Sequence, residues 1–217
     1  MAPLLLGHRG ARACKSIREN TFASFDQALA DGCDGFEFDV RLTADGSALV
    51  CHDPHSGGVE IASASRQQCS NLPRLEDVIA RYHARAFLDI ELKVAGLEGI
   101  SAAALKEHRP ERGVVVSSFL PEVVLAMHAE NGSVPLGLIC ETREELLRWT
   151  DLPIAYVIPH HKLVDSSLLE EVQRAQKRIL VWTVNSRAEM KKLRDRGVDG
   201  IISDETSLLA RTLRAHC

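Results

Sequence analysis

Short apolar runs of strand length alternate with amphipathic stretches along the whole chain. The runs at residues 4–8, 35–40, 87–92, 114–117, 136–140, 155–159, 179–184 and 200–203 are apolar at consecutive positions rather than at every second one. Strands apolar on both faces belong to parallel sheets covered by helices, whereas a strand with one wet face alternates. Residues 21–30, 75–82, 97–107, 122–130, 144–149, 166–175, 188–194 and 206–214 are the predicted helices, the first with Phe22, Phe25 and Leu29 along one face.

Eight strand-then-helix units suit two architectures, a closed (β/α)8 TIM barrel and an open doubly wound sheet. No Gly-x-Gly-x-x-Gly follows the first run, which counts against a dinucleotide-binding open sheet, and a count of eight favours the barrel. A length of 217 residues suits one such barrel, so a single domain is expected over residues 1–217. One segment breaks the rhythm. Asp45-Gly46 separates two alternating runs and predicts a β-hairpin extension after strand 2. The Gly- and Ser-rich residues 55–70 that follow read as a long irregular loop.

Composition narrows the function classes. The chain is 45% apolar and 26% charged, as in ordinary soluble globular proteins. A net charge of −4 gives no general attraction to nucleic acid, and the cluster Lys191, Lys192, Arg194 and Arg196 reads as the solvated face of a helix. The N-terminus has three consecutive leucines and no basic segment, too little for a signal peptide or a membrane span. No stable membrane insertion is expected. The six cysteines, Cys14, Cys33, Cys51, Cys69, Cys140 and Cys217, form no Cys-x-x-Cys pair and read as reduced thiols in a cytoplasmic protein. The mature form of an exported protein would read the same way.

Chemistry in such a barrel sits at the C-terminal strand ends, and there polar residues interrupt the apolar runs. The first run ends in His8-Arg9-Gly10, the second contains Glu37-Phe38-Asp39, its hairpin returns to His52-Asp53, and the third contains Asp89-Ile90-Glu91-Leu92-Lys93. Residues two apart on a strand share a face, so Glu37 pairs with Asp39, and Glu91 with Lys93 and Asp89. Three carboxylates meeting in a partly buried mouth would repel and protonate unless a cation lay between them. All-oxygen ligation by Glu37, Asp39 and Glu91 suits one hard divalent cation, Mg2+ or Ca2+. With that ion, Arg9 and Lys93 included, the site carries one net positive charge, suited to a singly charged phosphodiester. His8 and His52 could then deprotonate a nucleophile and protonate a leaving alkoxide.

These residues resemble the glycerophosphodiester phosphodiesterase family. The matching pieces are His8-Arg9-Gly10, Glu19-Asn20-Thr21, Glu37-Phe38-Asp39-Val40, Leu42-Thr43-Ala44-Asp45-Gly46, His52-Asp53, Glu91-Leu92-Lys93, Trp182-Thr183-Val184-Asn185 and Gly200-Ile201-Ile202-Ser203-Asp204, in order along nearly the whole chain. The resemblance implies a barrel that hydrolyses small-molecule glycerophosphodiesters to glycerol 3-phosphate and an alcohol. It implies His8 and His52 as the catalytic pair, Glu37, Asp39 and Glu91 as metal ligands, Arg9 and Lys93 as phosphate-binding groups, and Trp182 as an aromatic wall. Similarity to phosphoinositide-specific phospholipases suggests His8 as base and His52 as acid. Two departures stand out. Arg18 replaces the family's usual proline before Glu-Asn-Thr, and only residues 54–73 separate His52-Asp53 from the next helix. The head group, the choice of ion and the oligomeric state stay open.

Blander roles compete at several positions. Glu19, Asn20 and Thr21 read first as the start and cap of a helix. Asp89 is a candidate supporting residue, Trp182 could fill the barrel, and His160 and His161 read as a surface turn. His55, His83, His108, His128 and His216 carry no functional expectation. The same site could serve a lysophospholipase D-like or cyclic-phosphate-forming enzyme. A non-catalytic, metal-stabilised binding barrel is the reading from another class, although binding alone does not require two titratable histidines.

Overall fold

The first strand, β1 (Leu4–His8), pairs in parallel with β2 (Gly35–Leu42) on one side and with β11 (Gly200–Ser203) on the other, which closes the sheet on itself. Between them run β6 (Phe87–Leu92), β7 (Val114–Ser118), β8 (Leu136–Cys140), β9 (Tyr156–Pro159) and β10 (Arg178–Val181), so eight parallel strands form the barrel. The computed structural model describes residues 2–214; His216 and Cys217, named above, lie outside them. The helices α1 (Phe22–Ala30), α2 (Leu75–Tyr82), α3 (Glu98–Glu107), α4 (Pro121–Glu130), α5 (Arg143–Leu146), α6 (Ser166–Arg174), α7 (Arg187–Asp195) and α8 (Thr206–Leu213) connect successive barrel strands or follow the last. The (β/α)8 expectation holds. No helix among the described residues is long and apolar enough to cross a membrane.

Strand alternation splits the core in two. Leu5, Phe36, Phe38, Leu88 and Ile90 face outward into the layer between sheet and helices, where Phe25 stacks on Phe36 with ring centroids 4.2 Å apart. Leu6, Phe87, Val115, Ile139, Tyr156, Ile158, Leu180 and Ile202 face inward and fill the barrel. Because Phe36 and Phe38 point out, Glu37 and Asp39 must point in. The same parity turns Asp89 and Glu91 inward on β6.

The hairpin is formed by β3 (Ala48–Val50), antiparallel to β2 with Val40 opposite Val50, and Gly46 supplies the left-handed turn residue at φ 79°. Residues 55–70 are more ordered than their composition suggests. Gly57 and Gly58, at φ 60° and 81°, turn β4 (His55–Ser56) into β5 (Val59–Glu60), a two-glycine hairpin the sequence reading passed over. Ile61, Ala64, Cys69 and Leu72 then pack with Leu49 and Cys51 into a small separate core. Two other boundaries differ by three residues, the rest by one or two. The seventh barrel strand stops at Val181 rather than 184, and the helix expected at 144–149 is one capped α turn continued by a 3-10 helix, Leu147–Asp151.

Candidate active site

Parallel pairing sets the acids side by side. His8 is in register with Glu37, Glu37 with Asp89, and Asp39 with Glu91, so three neighbouring strands deliver one cluster. Glu37, Asp39 and Glu91 each bring a carboxylate oxygen to within 4.8 Å of the others, and all three side chains are buried. They line a cavity of about 430 Å³ together with His8, Arg9, His52, Asp89, Lys93 and Trp182, except that Asp39 lies just behind the lining. Seven of the eight residues expected at the site therefore line it, and the eighth, Asp39, joins them through the acid triad. Phe119, Ile139, Ile158 and Ile202 give the lining its apolar part, and Glu141 completes it.

The buried acids are electrostatically uneasy. Burial, reinforced by repulsion from Asp39, Glu91 and Asp89, pushes the Glu37 carboxyl well above the carboxylate range. Burial and the Asp39 charge raise Glu91 to about 7 against the pull of Lys93, and burial raises Asp89 to about 7 despite a 2.6 Å hydrogen bond donated by Ser117. Asp39 goes the other way. Burial opposes its charge, but Lys93, Arg9 and a hydrogen bond from Asn20 outweigh it and lower its pKa. Glu37 Oε1, Asp39 Oδ1 and Asp89 Oδ2 are buried without a hydrogen-bond donor. Orphaned anionic oxygens are costly in a low-dielectric interior. Oxygens on either side of a divalent ion, at about 2.0–2.6 Å from it, stand no more than about 4–5 Å apart. The triad's spacing and its orphaned oxygens fit such an ion.

Both candidate phosphate-binding cations are engaged by these acids. Lys93 Nζ lies 2.6 Å from Glu91 Oε1 and 3.4 Å from Asp39 Oδ1, with its charge 5.7 Å over the Phe119 ring. Arg9 reaches Glu19 at 2.9 Å and Asp39 at 3.3 Å. Trp182 donates its indole N–H to the Ile158 carbonyl at 2.9 Å and meets Phe119 edge-on, which fixes it as cavity wall. His160 caps a 3-10 turn and packs edge-on against Trp182 outside the cavity lining.

The histidines are held differently. His8 Nδ1 lies 2.7 Å from Asp204 Oδ1, and its Nε2 lies 3.8 Å from Glu37 Oε2. Burial works against the Asp204 charge, but hydrogen bonds with His8 and Asn185 and the nearby Arg12 hold its pKa at about 2. An ionised carboxylate only accepts, so His8 Nδ1 carries the hydrogen and Nε2 faces the acid cluster. His52 follows β3 on the hairpin, half-buried, with Nδ1 2.8 Å from the exposed Asp53 carboxylate. Burial lowers the His52 pKa against the opposing pull of Asp53 and Asp39.

The sequence reading missed the residues that orient this set. Thr21 caps α1 as expected, accepting from the Ser24 N–H, but Asn20 bonds Asp39 and Glu19 bridges Arg9 and Arg12. Asp204 was part of the Gly200–Asp204 piece that resembles the family but was given no role, because a polar residue just past a strand is shared with many helix caps.

Comparison with known proteins gives the family. A model of the glycerophosphoryl diester phosphodiesterase family matches residues 8–60 and 56–208. The chain is 29% identical to a glycerophosphodiester phosphodiesterase of Caldanaerobacter subterraneus subsp. tengcongensis over 99% of both chains. It is 28% identical to a putative glycerophosphodiester phosphodiesterase of Bacillus subtilis, covering 92% of this chain and 93% of the other. Among solved structures, a phosphodiesterase of Oleispira antarctica in complex with the product sn-glycerol-3-phosphate superposes with a TM-score of 0.85 at 24% identity, covering 98% of this chain and 97% of that one.

Proposed function

The chain belongs to the glycerophosphoryl diester phosphodiesterase family and is a phosphodiesterase, and from that premise we propose metal-dependent hydrolysis of glycerophosphodiesters to glycerol 3-phosphate and an alcohol by a pair of histidines. The observation that carries this reading is one cavity lined by His8, His52, Arg9, Lys93 and the carboxylates of Glu37 and Glu91, with Asp39 directly behind. Glu37, Asp39 and Glu91 are the residues to hold one divalent cation, Mg2+ or Ca2+, whose charge would offset that of the phosphoryl oxygens.

The chain's own groups supply the rest. Arg9 and Lys93 draw the phosphate anion to the polar half of the cavity, while Trp182 and Phe119 shape the other half. His8 Nε2 removes the proton from the attacking water as its oxygen bonds to phosphorus. The bond from phosphorus to the alcohol oxygen breaks, and His52 gives that oxygen a proton. Asp204 keeps the His8 ring in the tautomer this role needs. The lowered pKa of His52 makes its imidazolium a readier donor. Each such group contributes about 10²–10⁴-fold, less than phosphate-ester hydrolysis demands, so charge stabilisation by the cation, Arg9 and Lys93 must supply much of the remainder.

The apolar wall of Ile139, Ile158 and Ile202 favours a second reading, a lysophospholipase D-like activity on substrates with an acyl chain. The test is release of glycerol 3-phosphate from glycerophosphocholine and glycerophosphoethanolamine, and of lysophosphatidic acid from lysophosphatidylcholine. It is run with Mg2+ or Ca2+, with chelator, and with His52→Ala. Activity that survives both chelator and mutation overturns the mechanism, and a persistent cyclic phosphate in the phosphorus NMR spectrum overturns simple hydrolysis. Among the described residues the five cysteines, Cys14, Cys33, Cys51, Cys69 and Cys140, are free, which supports the cytoplasmic placement.

A further inference from the structure

The segment joining β1 to α1 closes on itself through the Asn20 N–H, which donates to the Arg9 carbonyl at 3.1 Å. Both closing residues are left-handed, Arg9 at φ 52° and Asn20 at φ 56°. Such a conformation strains most side chains and suits asparagine better than arginine. Each end of the closure then reaches one carboxylate of β2. The Arg9 N–H donates to Glu37 Oε2 at 3.0 Å, and the Asn20 amide donates through Nδ2 to Asp39 Oδ2 at 2.8 Å. Asn20 Oδ1 also accepts from the Asp39 backbone N–H at 3.4 Å, so one side chain grips Asp39 at both its carboxylate and its backbone.

We propose that Asn20 is a positioning residue that sets the site's affinity for its divalent cation by fixing Asp39 from behind. The inference rests on the reading of Glu37, Asp39 and Glu91 as the cation's ligands. Asn20 is only 5% exposed, so water does not compete for its amide. Asn20 donates to Oδ2, which also has Arg9 Nε 3.3 Å away, and this leaves Asp39 Oδ1 as the oxygen without a hydrogen-bond donor, with Lys93 Nζ 3.4 Å from it. A neutral amide orients this carboxylate without adding a positive charge that would compete with a cation. Outer partners of this kind typically change metal affinity by about 10–100-fold.

The experiment is calorimetric titration of Ca2+, and separately Mg2+, into the chelator-treated full-length protein, its Asn20→Gly variant and its Asn20→Ala variant. Glycine accepts the left-handed backbone without strain and lacks the amide, and alanine lacks the amide and is strained. Loss of affinity by about 10–100-fold in Asn20→Gly, with circular dichroism unchanged, is the expected result. Wild-type affinity in Asn20→Gly overturns the inference while leaving the cation site standing, and weakening confined to Asn20→Ala assigns the residue a backbone role instead. A wild-type protein that takes up neither cation overturns this inference together with the ligand assignment it rests on.

Discussion

Asp204 and His8 stand 196 positions apart in sequence and 2.7 Å apart in the fold, joined Oδ1 to Nδ1 across the seam where β11 meets β1. Asn185 donates to the other Asp204 oxygen at 2.6 Å and accepts from the Asp204 backbone N–H at 2.9 Å, so the carboxylate has little freedom to turn. The imidazole inherits that order.

Replacing Asp204 by asparagine keeps the shape and reverses the polarity. The new amide can donate to His8 Nδ1, which moves the ring hydrogen to Nε2 and removes the base from the cavity. We expect kcat to fall by about 10²–10⁴-fold with little change in KM. Steady-state kinetics on glycerophosphocholine decide it, and an unchanged kcat refutes the orienting role.

Glu37→Gln should cost at least as much activity as His52→Ala, because the cluster loses the charge of a proposed ligand at a buried acid. The expected fall is at least about 10²-fold. Near-full turnover at ordinary Mg2+ or Ca2+ concentration contradicts the ligand assignment.

Asp89→Asn tests the cost of burying acid. In the folded protein Asp89 titrates at about 7, above its ordinary value of 3.8. The fold therefore holds more protons than the unfolded chain between those limits. Its stability contribution is greatest below pH 3.8 and is lost as pH rises through about 7. Asparagine does not ionise and can still accept from Ser117. In chelator, the variant's thermal midpoint should exceed the wild type's by a margin that widens from pH 5 to pH 8. A margin independent of pH removes the account.

Gly10→Ala addresses the turn that aims His8 and Arg9. Gly10 has φ 80°, and an added Cβ would meet the Ser24 hydroxyl and lie 2.6 Å from its carbonyl carbon. The expected loss is about 1–3 kcal/mol of stability, read from denaturant unfolding, with activity falling alongside. Wild-type stability would show that the turn relaxes freely.

Much of this molecule was legible in the chain because charge inside an apolar strand is expensive and must be explained locally. Glu37, Asp39, Asp89 and Glu91 announce themselves that way, and strand parity alone predicts which face they share. Asn20 and Asp204 do not. Asn20 stands just before a helix and Asp204 just after a strand, places where a polar residue ordinarily caps or turns, and the true partner of each is fixed only by the folded barrel. The hairpin at Gly57-Gly58 was hidden for another reason: its strands are two residues each, too short to show alternation. Trp182 lies past the end of its strand yet keeps the β9 register through a single bridge to His160, its N–H bonding the Pro159 carbonyl.

His52 differs from every other member of the site in how it is mounted. The others sit on, or just past, barrel strands, whereas His52 follows the hairpin strand β3, beside a separate cluster of Leu49, Cys51, Ile61, Ala64, Cys69 and Leu72. A patch that small can melt while the cylinder stays intact. Gentle warming should therefore silence the enzyme first and unfold it afterwards, as the proposed proton donor leaves the reach of a bound phosphate.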